Sequence, residues 1–185
     1  NYRLFQGSPA LDVGDNDAEH LPAQDFDGGD RKQDDNSDEV AEVDMGAYEG
    51  GEAIPHYFVD HKAGPDGKGR SWVDAFQGLE DALAQSSKAE IWVAKGIYTS
   101  NKFKISGAEV GSELQIYGGF LGGELTRSDR NWSQNETILR NPDGIVFQFN
   151  NIDEGTTVLD GFIITDGGSG GIKISFASPQ ITNCF

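Results

Sequence analysis

The chain is poor in cysteine, in basic residues and in long apolar runs. One cysteine, Cys184, stands in 185 residues, so no internal disulfide framework exists and the redox compartment is left open. Lysine and arginine total 14 against 31 aspartates and glutamates, a net charge of −17. Such a surface repels nucleic acid and anionic membranes, and it favours cations, basic partners or simple solubility. No apolar run approaches the length of a membrane helix, and no signal peptide is visible. The start at Asn1, without methionine, is expected for a mature or excised segment of an exported protein.

What is abundant is glycine, 25 residues, set among short runs of Ile, Val, Phe and Thr. Three such runs, residues 158–165, 171–175 and 180–183, lie close together near the C-terminal end. Glycines and Ser178-Pro179 separate them, and gaps this short leave no room for helices. Leu159 and Ile181 stand one such period apart. Strand, corner, strand, corner at this spacing is how a parallel β-solenoid is written, each coil burying its face against the next. The run ending at Phe185 is expected to be an unfinished coil edge, open to another chain.

Upstream, residues 1–12 are expected to hold a strand, a turn at Gly7-Ser8-Pro9 and a short strand. Residues 12–49 carry 14 carboxylates and two basic side chains, Arg31 and Lys32. That segment is too acidic to collapse by itself. Residues 51–56 are expected to be a linker. Residues 55–60 resume strand character. Residues 71–86 predict a helix, with Ala75, Phe76, Leu79, Ala82 and Leu83 on one apolar face and Ser71 with Asp74 resembling a capping box. Strands follow at residues 90–98, 103–105, 114–120, 137–140 and 145–149. A single helix ahead of a solenoid would cover the apolar end of its first coil.

Residues 57–185 resemble the N-terminal part of bacterial secreted right-handed parallel β-helix proteins of the pectate-lyase-like superfamily. The resemblance rests on Tyr57-Phe58-Val59-Asp60, Ser71-Trp72, Ile91-Trp92-Val93-Ala94, Tyr117-Gly118-Gly119-Phe120, Arg130 with Trp132, Leu159-Asp160-Gly161-Phe162 and Ile181-Thr182-Asn183-Cys184. Ser169-Gly170-Gly171-Ile172 also resembles half of the repeat of polymorphic outer-membrane proteins. Residues 1–50 resemble a choice-of-anchor Q module, through Gly7-Ser8-Pro9-Ala10-Leu11-Asp12, Gly14-Asp15-Asn16, Asp25-Phe26-Asp27-Gly28 with Arg31, and Val43-Asp44-Met45-Gly46-Ala47-Tyr48-Glu49. In that family the module closes a β-helix, yet here it stands first. The two resemblances imply an all-β protein, an acidic closing module followed by the cap and first coils of a new β-helix.

Candidate chemistry is sparse. Asp25, Asp27 and Asp30, with Asp15 and Asp44, alternate on a glycine-containing loop and are the candidate ligands of a Ca2+ ion, though Gly28 arrives too early for an EF-hand. Polysaccharide cleavage would need a base beside acids, and the solenoid stretch offers only Lys173 with Asp160 and Asp166. His20, His56 and His61 show no metal spacing. Trp72, Trp92 and Trp132 suit packing more than sugar stacking. Cys184 is expected to be a buried structural thiol. Asn131-Trp132-Ser133 and Asn135-Glu136-Thr137 fit the glycosylation sequon, which acts only in a glycosylating host. The expected role is a non-enzymatic extracellular or cell-surface structural protein that joins copies of itself head-to-tail into a filament or tandem array. A carbohydrate-binding adhesin is the alternative, and a polysaccharide lyase or hydrolase the third reading.

Overall fold

The computed structural model describes residues 10, 12–25, 30–32, 41–46, 55–85, 88–106, 113–152 and 157–185. The chain divides into two compact units, Asn1–Pro55 and His56–Phe185. Most of the expected strands in residues 1–12 and most of the expected linker fall outside the described residues.

In the first unit, two stretches distant in sequence lie side by side. The Gly14 amide donates to the Val43 carbonyl at 2.6 Å and the Met45 amide to the Ala10 carbonyl at 3.0 Å. Asn16 ties both ends of this contact: its side-chain amide donates to the Ala41 carbonyl, and its Oδ1 accepts from the Val43 amide. Val43 is buried. The two acidic motifs are thus joined by backbone and amide bonds, which suits a segment with too few apolar side chains for a core of its own.

The second unit is mostly strand. Its elements are β1 (His56–Val59), α1 (Leu79–Leu83), β2 (Lys88–Ala94), β3 (Gly96–Thr99), β4 (Lys104–Ser106), β5 (Glu113–Phe120), β6 (Thr137–Asn141), β7 (Ile145–Ile152), β8 (Val158–Asp160), β9 (Ile163–Gly167), β10 (Gly170–Ala177) and β11 (Gln180–Thr182). They form three sheets ordered β1-β2-β5-β8-β11, β3-β6-β9 and β4-β7-β10. Every strand pairing is parallel. From β2 onward the chain visits the three sheets in strict rotation.

Parallel register stacks like on like. Tyr57, Ile91, Ile116, Leu159 and Ile181 form one column of the first sheet, facing the main core. Phe58, Trp92, Tyr117, Asp160 and Thr182 form the neighbouring column on the opposite face. There Phe58, Trp92 and Tyr117 make a second apolar cluster with Phe120 and Trp72. Aromatic and β-branched side chains meet across each ladder step, which is the unit of sheet stabilisation.

Two elements differ from the sequence reading. The helix is much shorter than residues 71–86. Residues 74–76 are drawn against β1 instead: the Phe76 amide donates to the Phe58 carbonyl, and the Asp60 amide donates to the Phe76 carbonyl. The Asp74 amide does donate to the Ser71 hydroxyl, but its carboxylate accepts from the Lys68 amide and Arg70 Nε. Pairing with a strand edge outweighs helix propensity here. The run 158–165 is also two strands, broken at Gly161, whose φ of +84° turns the chain.

Candidate functional site

The proposed calcium ligands are scattered. Asp15 is exposed and accepts from the Asp17 amide, whereas Asp44 is buried and accepts from the Asp12 amide at 2.8 Å. Asp30 is exposed, Asp25 is half-buried, and Asp27 lies outside the described residues. Among the described residues no three His, Cys, Asp or Glu side chains gather at metal-binding distance. Two cations of this unit reach backbone carbonyls: Arg31 donates to that of Gly46 and Lys32 to that of Asn16.

The tryptophans divide. Trp72 and Trp92 are packed in the outer aromatic cluster, Trp92 lying flat on Phe120 at 4.7 Å and donating to Glu90. Trp132 is half-buried beside a cavity of about 230 Å3, with Phe185 stacked on it at 6.0 Å. Cys184 is half-buried against the main core, and burial pushes its thiol above the ordinary range.

His56 lies against Phe58 and Trp92, with ring centroids at 4.5 and 4.2 Å. Its Nε2 is buried without a hydrogen-bond partner. Burial lowers its pKa from 6.5 to about 4. The unfolded chain therefore binds more protons than the folded one between these values, so stability is complete above the unfolded pKa and falls as pH drops through the window. Chemical denaturation of wild type and His56→Phe at pH 7.5 and 4.5 checks this. The wild type is expected to lose stability relative to the variant at the lower pH.

Sequence reading weighed Asp160 as a catalytic acid and missed its partner. Arg130 Nη2 donates to Asp160 Oδ1 at 2.7 Å, and both side chains are 13% exposed. Arg130 Nη1 donates to the Gly118 carbonyl, and the guanidinium lies over the Tyr117 ring at 5.1 Å. The Thr182 hydroxyl and the Asn183 amide complete the shell of Asp160 from the next strand turn. Burial by itself would raise the Asp160 pKa, but the bonds from Thr182, Arg130 and Asn183 outweigh it and hold the carboxyl below its usual range. This carboxylate is saturated. It clamps three successive chain turns at one corner, where Gly161 and Asn183, adjacent in the ladder, both have positive φ.

Comparison with family models, curated proteins and solved structures finds no match.

The remaining feature is the edge formed by β9, β10 and β11. The column Ile105, Phe149, Ile174 runs through the third sheet in register. Ile105 is 4% exposed, Phe149 is fully buried, and Ile174 is 49% exposed. Phe176, opposite Asn151, shares its left-handed conformation (φ +51° and +49°) and is 88% exposed. A left-handed aromatic residue costs about 1–2 kcal/mol, for which asparagine is better suited. Phe185 pairs its backbone with Phe162 and Ile164 of its own chain while its ring stays 74% exposed. The opposite end of the stack differs. There the outer edge of β1 is taken by Gly69 and Phe76, and α1 lies against β1 and β4.

Proposed function

We propose that residues 56–185 are the capped start of a right-handed parallel β-helix, and that the protein is a non-enzymatic structural component of the cell surface or extracellular space. Its coils lengthen at the β9–β10–β11 edge by addition of further parallel coils, in a tandem array or from head-to-tail copies of itself. The rotation of successive strands through three parallel sheets supports the helix, and its hand follows from the near-universal right-handedness of parallel crossovers. The observation that carries the role is the core column: the position buried in Ile105 and Phe149 is half-open in Ile174. An interior position left exposed at one end, with the other end covered, marks where a repeat architecture adds its next unit. A head-to-tail contact of this kind does not close on itself and so builds a linear assembly.

The acidic unit fits the same reading. In the choice-of-anchor Q pattern that residues 1–50 resemble, such a module closes one β-helix. A closing module ahead of a fresh cap is the order expected at the junction of two beads. Strong net negative charge keeps such an array soluble without contributing to its fold.

Sedimentation velocity over a wide concentration range tests the proposal. The protein is expected to associate as concentration rises, and Ile174→Asp to remain monomeric with its circular dichroism unchanged. A wild type that stays monomeric throughout overturns it.

A further inference from the structure

The two sequons share one loop, yet their asparagines have opposite surroundings. Asn135 is 8% exposed, and its Nδ2 donates to the Gly119 carbonyl at 3.1 Å. The hydroxyl of its sequon, on Thr137, is fully buried and accepts from the Gly119 amide at 2.9 Å. Both polar groups of that sequon are therefore committed to one corner glycine. A glycan on Asn135 would have to replace a buried hydrogen bond and find room where none exists.

Asn131 is exposed, and so is Ser133. Here the backbone alone holds the corner: the Asn131 amide donates to the Gly119 carbonyl at 2.9 Å, and its carbonyl accepts from the Gln134 and Asn135 amides. The Asn131 side chain is left to the sequon itself. Its Oδ1 accepts from the Ser133 hydroxyl at 2.9 Å, and its Nδ2 makes no hydrogen bond among the described residues. That hydroxyl bond holds the amide by its oxygen and leaves the NH2 with no described bond to give up.

We infer that Asn131 is an N-glycosylation acceptor and that Asn135 is a structural asparagine in an acceptor's motif. The co-substrate is an oligosaccharide carried on a polyprenyl diphosphate. Asn131 Nδ2 bonds to the anomeric carbon of the sugar, and its proton passes to the departing diphosphate. The bond from that carbon to the diphosphate oxygen breaks, and the diphosphate leaves with the electron pair. A glycan at this corner stands beside the loop 121–132 and leaves every described backbone bond of the corner in place.

The inference rests on the extracellular reading above, since transfer occurs only on exported chains. The test separates the two. The full chain is expressed with a leader in a eukaryotic secretory host, which imposes export, and the folded secreted protein is digested and mapped by mass spectrometry. Glycan is expected on Asn131 and absent from Asn135. Asn131→Gln and Ser133→Ala are each expected to remove the whole mass increment without lowering the melting temperature, because among the described residues neither side chain hydrogen-bonds to Gly119. An unoccupied Asn131, or a glycan on Asn135 of the folded protein, overturns the assignment. Failure of the export reading would appear elsewhere, in the fractionation of native cells.

Discussion

Gly119→Ala is expected to destabilise the second unit by about 3 kcal/mol or more, a melting-temperature loss of roughly 10 °C for a domain of this size. Gly119 has a φ of +94°, a conformation that side-chain-bearing residues rarely adopt. A Cβ built there would stand 2.4 Å from Trp132 Cα and 2.7 Å from its backbone nitrogen. Those atoms are backbone and cannot rotate away. The loop 121–132 would have to move as a piece, and with it the Asn131 and Asn135 bonds to the Gly119 carbonyl and the Thr137 bond to its amide. Gly123→Ala is the control, because nothing lies within 4 Å of its added carbon. It is expected to fall within about 0.5 kcal/mol of wild type, as surface changes do. Thermal melts of the two variants against wild type check the contrast. Equal melting temperatures for Gly119→Ala and wild type would refute the account of this corner.

The corner shows where the sequence could be read and where it could not. Strand existence was legible, since Ile91-Trp92-Val93 and Val146-Phe147 announce themselves by β-branched and aromatic content. Breaks inside such runs were harder. Gly161 interrupts residues 158–165 at a turn, and nothing local separates a corner glycine from a strand glycine. The helical face of residues 71–86 was periodic, but half of it was drawn onto the edge of β1, a contact that periodicity does not encode. The acidic segment is joined by contacts of the same kind. Asp12 with Asp44 and Gly14 with Val43 meet across a long chain separation, a pairing that local spacing does not encode. Asp160 was visible as an acid but not as a clamp. Its partners Arg130 and Asn183 come from neighbouring turns, and only the parallel register brings them together.

That register makes the Arg130–Asp160 pair the second large effect. Asp160→Ala is expected to cost about 3 kcal/mol, because it leaves a largely buried guanidinium without its counter-ion. Arg130→Ala should cost a similar amount, losing the Gly118 bond and the contact with the Tyr117 ring as well. The double variant should cost less than the sum, since neither charge is then left unpaired. The pair also gives a pH signature. Asp160 has a folded pKa below its ordinary value of 3.8, so its contribution is fully present above that value and is lost as pH falls through the folded pKa. Wild type and Asp160→Asn should therefore differ most near neutrality and converge in acid. Urea unfolding of both proteins at pH 7 and pH 3 provides the check. A stability gap that widens on acidification would mean that the carboxyl is held protonated, and that Arg130 is not the charge that holds the corner.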